Sequence, residues 1–238
     1  MSFGTIDRRT AVKTFGTVVV GAFAGCAGTA GGNELRNQLD AVREATSKYE
    51  DVKSALEDGF KISGPFIPGQ GWHFVHPERV RSAAREGLDR SKPQVLTYDD
   101  ELELGAVEWS VPADAVDGEP DLFADGNADA TEHWHTHDAA THVMAKPDGE
   151  RTDPASLSLS EWTTNDYWTE FHPPDRSIGP GDEVRLNWGT PEGKSGSGET
   201  RVVDLVTTHP SLRTLHVWVY ADNPEGVFAE SNPEFAQR

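Results

Sequence analysis

Val95-Leu96-Thr97-Tyr98, then Asp99-Asp100-Glu101, then Leu102-Glu103-Leu104-Gly105-Ala106-Val107-Glu108-Trp109-Ser110-Val111 is the stretch that decides the fold. Two runs rich in β-branched, aromatic and aliphatic residues flank Asp99-Asp100. They predict an antiparallel hairpin. On the second strand Leu102, Leu104, Ala106 and Glu108 fall on one face, because strand side chains alternate. Glu108 is the anomaly in that series. A carboxylate on an apolar face needs a charged partner or a metal ion, since burying it alone costs several kcal/mol.

Outward from the hairpin, the chain continues in the same style. Upstream, Leu35, Val42, Tyr49 and Leu56 recur every seven residues, with Leu39 and Val52 filling the stripe. Asn33 supplies an N-cap and Gly59 a stop, so the periodicity predicts one amphipathic helix over 34–58. Residues 64–71, GPFIPGQG, form a turn-rich loop. An extended segment over 72–77 and a brief helix over 78–87 lead into the hairpin. Downstream, an acidic loop covers 112–131 and a strand with a break covers 133–145. Residues 162–171 are aromatic-rich. Further strands are predicted over 183–188, 202–207 and 214–220, with a turn-rich connection over 189–199. The predicted class is α+β: an N-terminal amphipathic helix packed on a mainly antiparallel β-sheet or small β-barrel. Residues 33–238 form one domain in this reading, and 1–32 stand apart from it.

Composition narrows the function classes. The 238 residues carry 40 Asp and Glu against 21 Lys and Arg, a formal charge of −19. Such a surface repels phosphates, which excludes a nucleic-acid partner. Seven Trp and 36% hydrophobic residues are enough for a packed core. The single cysteine, Cys26, excludes an intrachain disulfide framework and a thiolate-built metal site. No apolar run reaches the roughly 20 residues of a membrane-spanning helix. No Gly-Lys-Ser/Thr phosphate loop is present, which leaves a nucleotide enzyme without its signature.

The chemistry lies in the histidines. Four of the nine fall within Glu132-His133-Trp134-His135-Thr136-His137-Asp138-Ala139-Ala140-Thr141-His142. On a strand, His133, His135 and His137 point the same way, about 6.6–6.8 Å apart for neighbours in the set. Two imidazoles at that spacing can lean onto one ion, each about 2.0–2.1 Å from it. On the segment Leu215-His216-Val217-Trp218-Val219-Tyr220, His216 shares a face with Trp218 and Tyr220. His73 lies between Trp72 and Phe74. The expectation is that His135, His137 and His142 supply metal ligands, joined by one or more of His73, Glu108 and His216. Carboxylate and imidazole without thiolate suit a divalent transition ion: Zn, Cu(II), Ni, Mn or non-haem Fe. In an enzyme, Glu108 or Asp138 would serve as general base. The other reading makes the polar strand face, and His76, His172 and His209 before their prolines, ordinary surface and turn residues.

Several segments resemble known families. Arg8-Arg9 with Lys13, followed by the small apolar stretch 14–24, resembles a twin-arginine export signal. Phe23-Ala24-Gly25-Cys26 is similar to a lipoprotein-processing box, which implies lipid attachment at Cys26 and a tether over 27–32. The acidic balance and the 14 Arg against 7 Lys resemble proteins of salt-loving archaea. Together these imply an exported lipoprotein held at the extracellular face of the cell membrane. His135-x-His137-x4-His142 followed by Pro180-Gly181-Asp182 resembles the metal motifs of the cupin superfamily, with Thr141 or His142 where that family has Glu. Gly71-Trp72-His73-Phe74-Val75, Val107-Glu108-Trp109 and the stretch from His216 to Phe228 are similar to a group of uncharacterised secreted bacterial proteins. That likeness favours His73, Glu108 and His216 as a unit. The functions in view are a metal binder or carrier, a metalloenzyme, and a solute-binding or interaction lipoprotein with incidental histidines and a small-molecule ligand.

Overall fold

The computed structural model describes residues 30–120, 122–123, 128–147, 152–186 and 199–235. The export and lipidation segment with Cys26, and most of the 189–199 connection, lie outside them. Eleven strands are present in the described chain: β1 Lys61–Ile62, β2 Trp72–Val75, β3 Val95–Tyr98, β4 Leu104–Pro112, β5 His135–His137, β6 Ala140–Met144, β7 Trp168–Phe171, β8 Glu183–Leu186, β9 Glu199–Val202, β10 Leu205–His209 and β11 Leu212–Val217. The helices are α1 Ala30–Thr46, α2 Val52–Glu57, α3 Pro77–Glu86 and the short α4 Ala128–Glu132 and α5 Leu159–Trp162.

The α+β class is as expected. All strand pairings are antiparallel. A six-stranded sheet runs β1-β2-β3-β4-β11-β5, with separate sheets β10-β6-β7 and β8-β9. The described strands close no barrel, so the open sheet replaces the cupin-like alternative. The physical cause is the break after His137: β5 pairs with β11, whereas β6 pairs with β10 and β7. One stretch of chain thus feeds two sheets.

The hairpin forms as predicted. Asp99 closes its turn by accepting from the Glu101 and Glu103 amides at 3.0 and 2.8 Å. Leu102 takes the left-handed conformation, φ 63°. One face of the large sheet carries Phe74, Leu96, Tyr98, Val107, Trp109, Leu215 and Val217 into the main core. The N-terminal helical segment covers it, and the Tyr98 hydroxyl donates to the Tyr49 carbonyl at 2.6 Å. The three-stranded sheet sorts its faces likewise. Met144 joins the main core, whereas Val143 packs with Val184 and Val203 of the small sheet's side. His142, in phase with Met144, therefore looks toward the large sheet.

The single helix expected over 34–58 is broken. After α1 the chain makes a 3-10 turn over Ser47–Glu50, and Asp51 caps α2 by accepting from the Lys53 amide at 3.2 Å. The turn drives Tyr49 into the core and leaves Leu56 39% exposed. Tyr49 also explains why the break is stable. Its hydroxyl donates to Asp58, and Arg79 of α3 donates to both at 2.8 Å. The Tyr49 bond holds the Asp58 carboxyl below its ordinary value against the opposing effect of burial, helped by Lys48 and Arg79. A depressed carboxylate adds stability above its unfolded value and loses it as pH falls through the native one. Asp58 side-chain exposure of 35% limits the effect by screening. Asp58→Asn is expected to cost about 1 kcal/mol at pH 7, with the deficit disappearing in strong acid. Urea unfolding at both pH values measures it.

Candidate metal centre

The face of the large sheet turned away from the N-terminal helical segment carries polar groups. Register places them. His216 on β11 pairs with Glu108 on β4, and Glu108 pairs with Val95 on β3. His73 on β2 pairs with Thr97, and His135 and His137 on β5 pair with Thr214 and Leu212. Directly opposed residues share a face, so four strands send these five side chains to one side of the sheet.

They converge. His73 Nε2 lies 3.3 Å from Glu108 Oε1, and His216 Nε2 lies 3.6 Å from Glu108 Oε2. The Thr97 hydroxyl donates to Glu108 Oε1 at 2.5 Å. Nε2 of His135 faces Nε2 of His137 at 3.0 Å, and the His135 and His216 ring centres are 5.0 Å apart. Two ligand sets have all their donor atoms within 4.8 Å of one another: His73, Glu108 and His216, and His135, His137 and His216. His216 belongs to both.

Glu108 is 2% exposed and His216 is fully buried. Both ring nitrogens of His73 and both of His216 are buried without a hydrogen bond. Each such group costs about 1–3 kcal/mol when left unmatched. An ion pair meets only part of that deficit. Burial opposes a charge on His73, but the Glu108 carboxylate outweighs it and raises the imidazole above its usual value. Burial pushes His216 down to about 3, despite the attraction of Glu108. Burial likewise pushes His137 down to about 4. Glu108 is itself held below the carboxylate range: burial raises it, and His216, His73 and Thr97 more than reverse that. His137 and His216 are thus held in the neutral form that metal coordination requires, whereas the Glu108 carboxylate draws His73 toward its charged form.

Tautomers agree. His135 Nδ1 lies 3.3 Å from the His133 carbonyl, which can only accept. Its proton therefore sits on Nδ1, and Nε2 presents a lone pair to the cluster. Nitrogens bound to one ion at 2.0–2.1 Å lie about 2.9 Å apart at a right angle and about 3.3 Å apart at the tetrahedral angle. The 3.0 Å between His135 and His137 falls within that range.

The chain matches no protein-family model, no curated protein and no solved structure. Function has to be read from the side chains.

Five of the six expected ligands meet here. His142 does not join either set; it faces the site from β6 and meets His209 at 3.0 Å between Nε2 atoms. His133 precedes β5 and is exposed, contributing its carbonyl instead of its ring. Asp138 is exposed beyond the end of β5 and belongs to neither set, leaving Glu108 as the carboxylate at the cluster. His76 caps α3, accepting from the Arg79 amide at 3.4 Å, as a residue before proline often does. His209, expected as a turn residue before Pro210, is the one sequence reading passed over. Its signal was weak: β10 carries it opposite Ala140, and only that long-range pairing brings it to His142.

A cavity of about 840 Å³ opens on the same side of the sheet. Val75, Val95, Ser110 and Leu212 form its floor, and Leu157, Trp162 and Leu205 stand opposite. Val95, a residue of that floor, is the register partner of Glu108, although none of the five cluster side chains lines the cavity.

Proposed function

We propose that this protein binds a divalent transition metal ion through His216 together with His73, Glu108, His135 and His137, and carries it on the outer side of a cell membrane. The observation that supports the reading is the convergence of four imidazoles and one carboxylate, with the ring nitrogens of His73 and His216 buried without a hydrogen bond. The donor set suits Zn, Cu(II), Ni, Mn or Fe(II). Export by a twin-arginine route, lipid attachment at Cys26 and life in concentrated salt are the remaining parts of the proposal. They rest on Arg8-Arg9, the 23–26 box and the charge of −19. At about 1 M salt the Debye length is near 3 Å, so acidity of this kind hydrates the surface and steers no distant partner.

A second reading, catalysis at the ion, draws on the nearby cavity. Its walls are mostly apolar, which fits a ligand with an apolar body presenting one polar group to the metal. Glu108 would then act as ligand or base, and the cavity would exclude water from the reaction.

Metal content tests the proposal. The chain purified without a histidine tag, stripped with chelator and dialysed against Zn²⁺ in high salt, is expected to retain zinc and to melt at higher temperature. A chain that retains none of Zn, Cu or Ni contradicts it and leaves the solute-binding reading. The zinc gain follows the mass-action form, about 2.7 kcal/mol at a free concentration 100 times Kd.

A further inference from the structure

Across the cavity region from the first cluster, the three-stranded sheet presents a second group. His142 pairs in register with Thr207 of β10 and Glu170 of β7, and His209 pairs with Ala140. All face the same way. Nε2 of His142 and Nε2 of His209 are 3.0 Å apart, with rings stacked at 5.1 Å. His142 Nδ1 lies 3.7 Å from Glu170 Oε2, and His172 pairs with Glu170 Oε1. His142 is 8% exposed. Gly64, at φ +98°, makes room for it: a Cβ there would stand 2.7 Å from His142 Nδ1.

Proton placement decides what this pair can be. His209 Nδ1 lies 2.8 Å from the Pro210 carbonyl and must donate to it. Its Nε2 is then a lone pair aimed at His142. If neutral His142 carries its proton on Nε2, it can donate to His209. Its Nδ1 is then a bare, buried lone pair facing the Glu170 carboxylate. If the proton is on Nδ1, it points toward Glu170 at 3.7 Å, and two lone pairs oppose each other at 3.0 Å. A doubly protonated His142 would offer a proton at both ends. That state would place a full charge on a ring 8% exposed whose nearest carboxylate, Glu170, stands 3.7 Å away, beyond hydrogen-bond range. A cation between the two Nε2 atoms takes up both lone pairs. His142 Nδ1–H then points toward Glu170, and His209 Nδ1–H donates to Pro210, the outer hydrogen bond that a metal-bound histidine ordinarily makes.

We infer that His142 and His209 form a second transition-metal site, separate from the one centred on His216, with Glu170 as the carboxylate on the Nδ1 side of His142. His172 holds Glu170 in place and is itself tied to the Ala139 carbonyl at 3.2 Å. The site takes a borderline ion of the zinc class.

Zinc stoichiometry at equilibrium dialysis, read by atomic emission on the tag-free chain, tests this. The wild type should bind two equivalents and His209→Ala one. His209 is only half-buried at the end of β10, so its replacement leaves the fold intact. His142→Asn provides the second variant and should also bind one. His209→Ala and His142→Asn binding as many ions as the wild type would overturn the inference. His216→Leu separates the two proposals. An equivalent that survives His216→Leu and disappears with His209→Ala supports this site whatever becomes of the first.

Discussion

His216→Leu should abolish the share of the zinc-dependent rise in stability that the large-sheet site supplies, while leaving the metal-free protein at least as stable as the wild type. The two halves of that result have different causes. His216 is shared by both ligand sets at the large sheet. Outer-shell partners of a metal site already cost about 10–100-fold in affinity when removed, so a shared direct ligand costs at least about 100-fold. At a zinc concentration at which the large-sheet site contributes about 2.7 kcal/mol, that contribution should fall almost to nothing in the variant, and any gain that remains belongs to His142 and His209. The metal-free form behaves oppositely. The two unpaired ring nitrogens of His216 are a burden there, and leucine of similar volume removes it. An ordinary core histidine holding the sheet together would give the reverse pattern: a large loss without metal and no change in metal response. Urea unfolding with and without zinc distinguishes them.

Gly71→Ala is expected to destabilise the protein by about 3–4 kcal/mol. Gly71 has φ +87°, and an added Cβ would stand 2.2 Å from the Tyr98 carbonyl oxygen and 2.9 Å from the Phe235 ring. The left-handed conformation alone costs a non-glycine residue about 1–2 kcal/mol, and forced overpacking adds about 1–3 kcal/mol. The obstacle is backbone, and it cannot swing aside without breaking the Trp72–Tyr98 pairing. Against a typical total of about 5–15 kcal/mol, such a loss is large. Because His73 lies two residues on, β2 displacement should also weaken zinc binding in whatever fraction stays folded. A denaturation midpoint within error of the wild type would show that the loop adjusts more cheaply than the sheet geometry allows.

The sequence made these two histidine groups unequally visible. Period-two reasoning put His135 and His137 on one side of a strand and singled out Glu108 by grouping it with Leu102 and Leu104; a register shift instead sends Leu104 to the core face, and Glu108 lies with the histidines on the other. It gave His216 a polar face with Trp218. These are local properties of single strands, and the pairings β4–β11 and β11–β5 turned them into one cluster. His142 was grouped with His135 and His137 but meets His209 instead, because nothing local says that the chain changes sheets between His137 and Ala140. His209 was hidden by its proline. A histidine before Pro210 looks like a turn, and its partner is 67 residues away. The heptad of Leu35, Val42, Tyr49 and Leu56 predicted a continuous helix. Tertiary bonds to Asp58 and Arg79 made a break at Tyr49 more favourable than continuing the stripe to Leu56.

Anomalous diffraction from crystals grown with Zn²⁺ measures the central proposal most directly. The expected map has a zinc peak about 2.0–2.2 Å from a ring nitrogen of His216 and from at least two donors among His73, Glu108, His135 and His137. A map with no peak at His216, in crystals whose zinc sits only on exposed carboxylates, would contradict it.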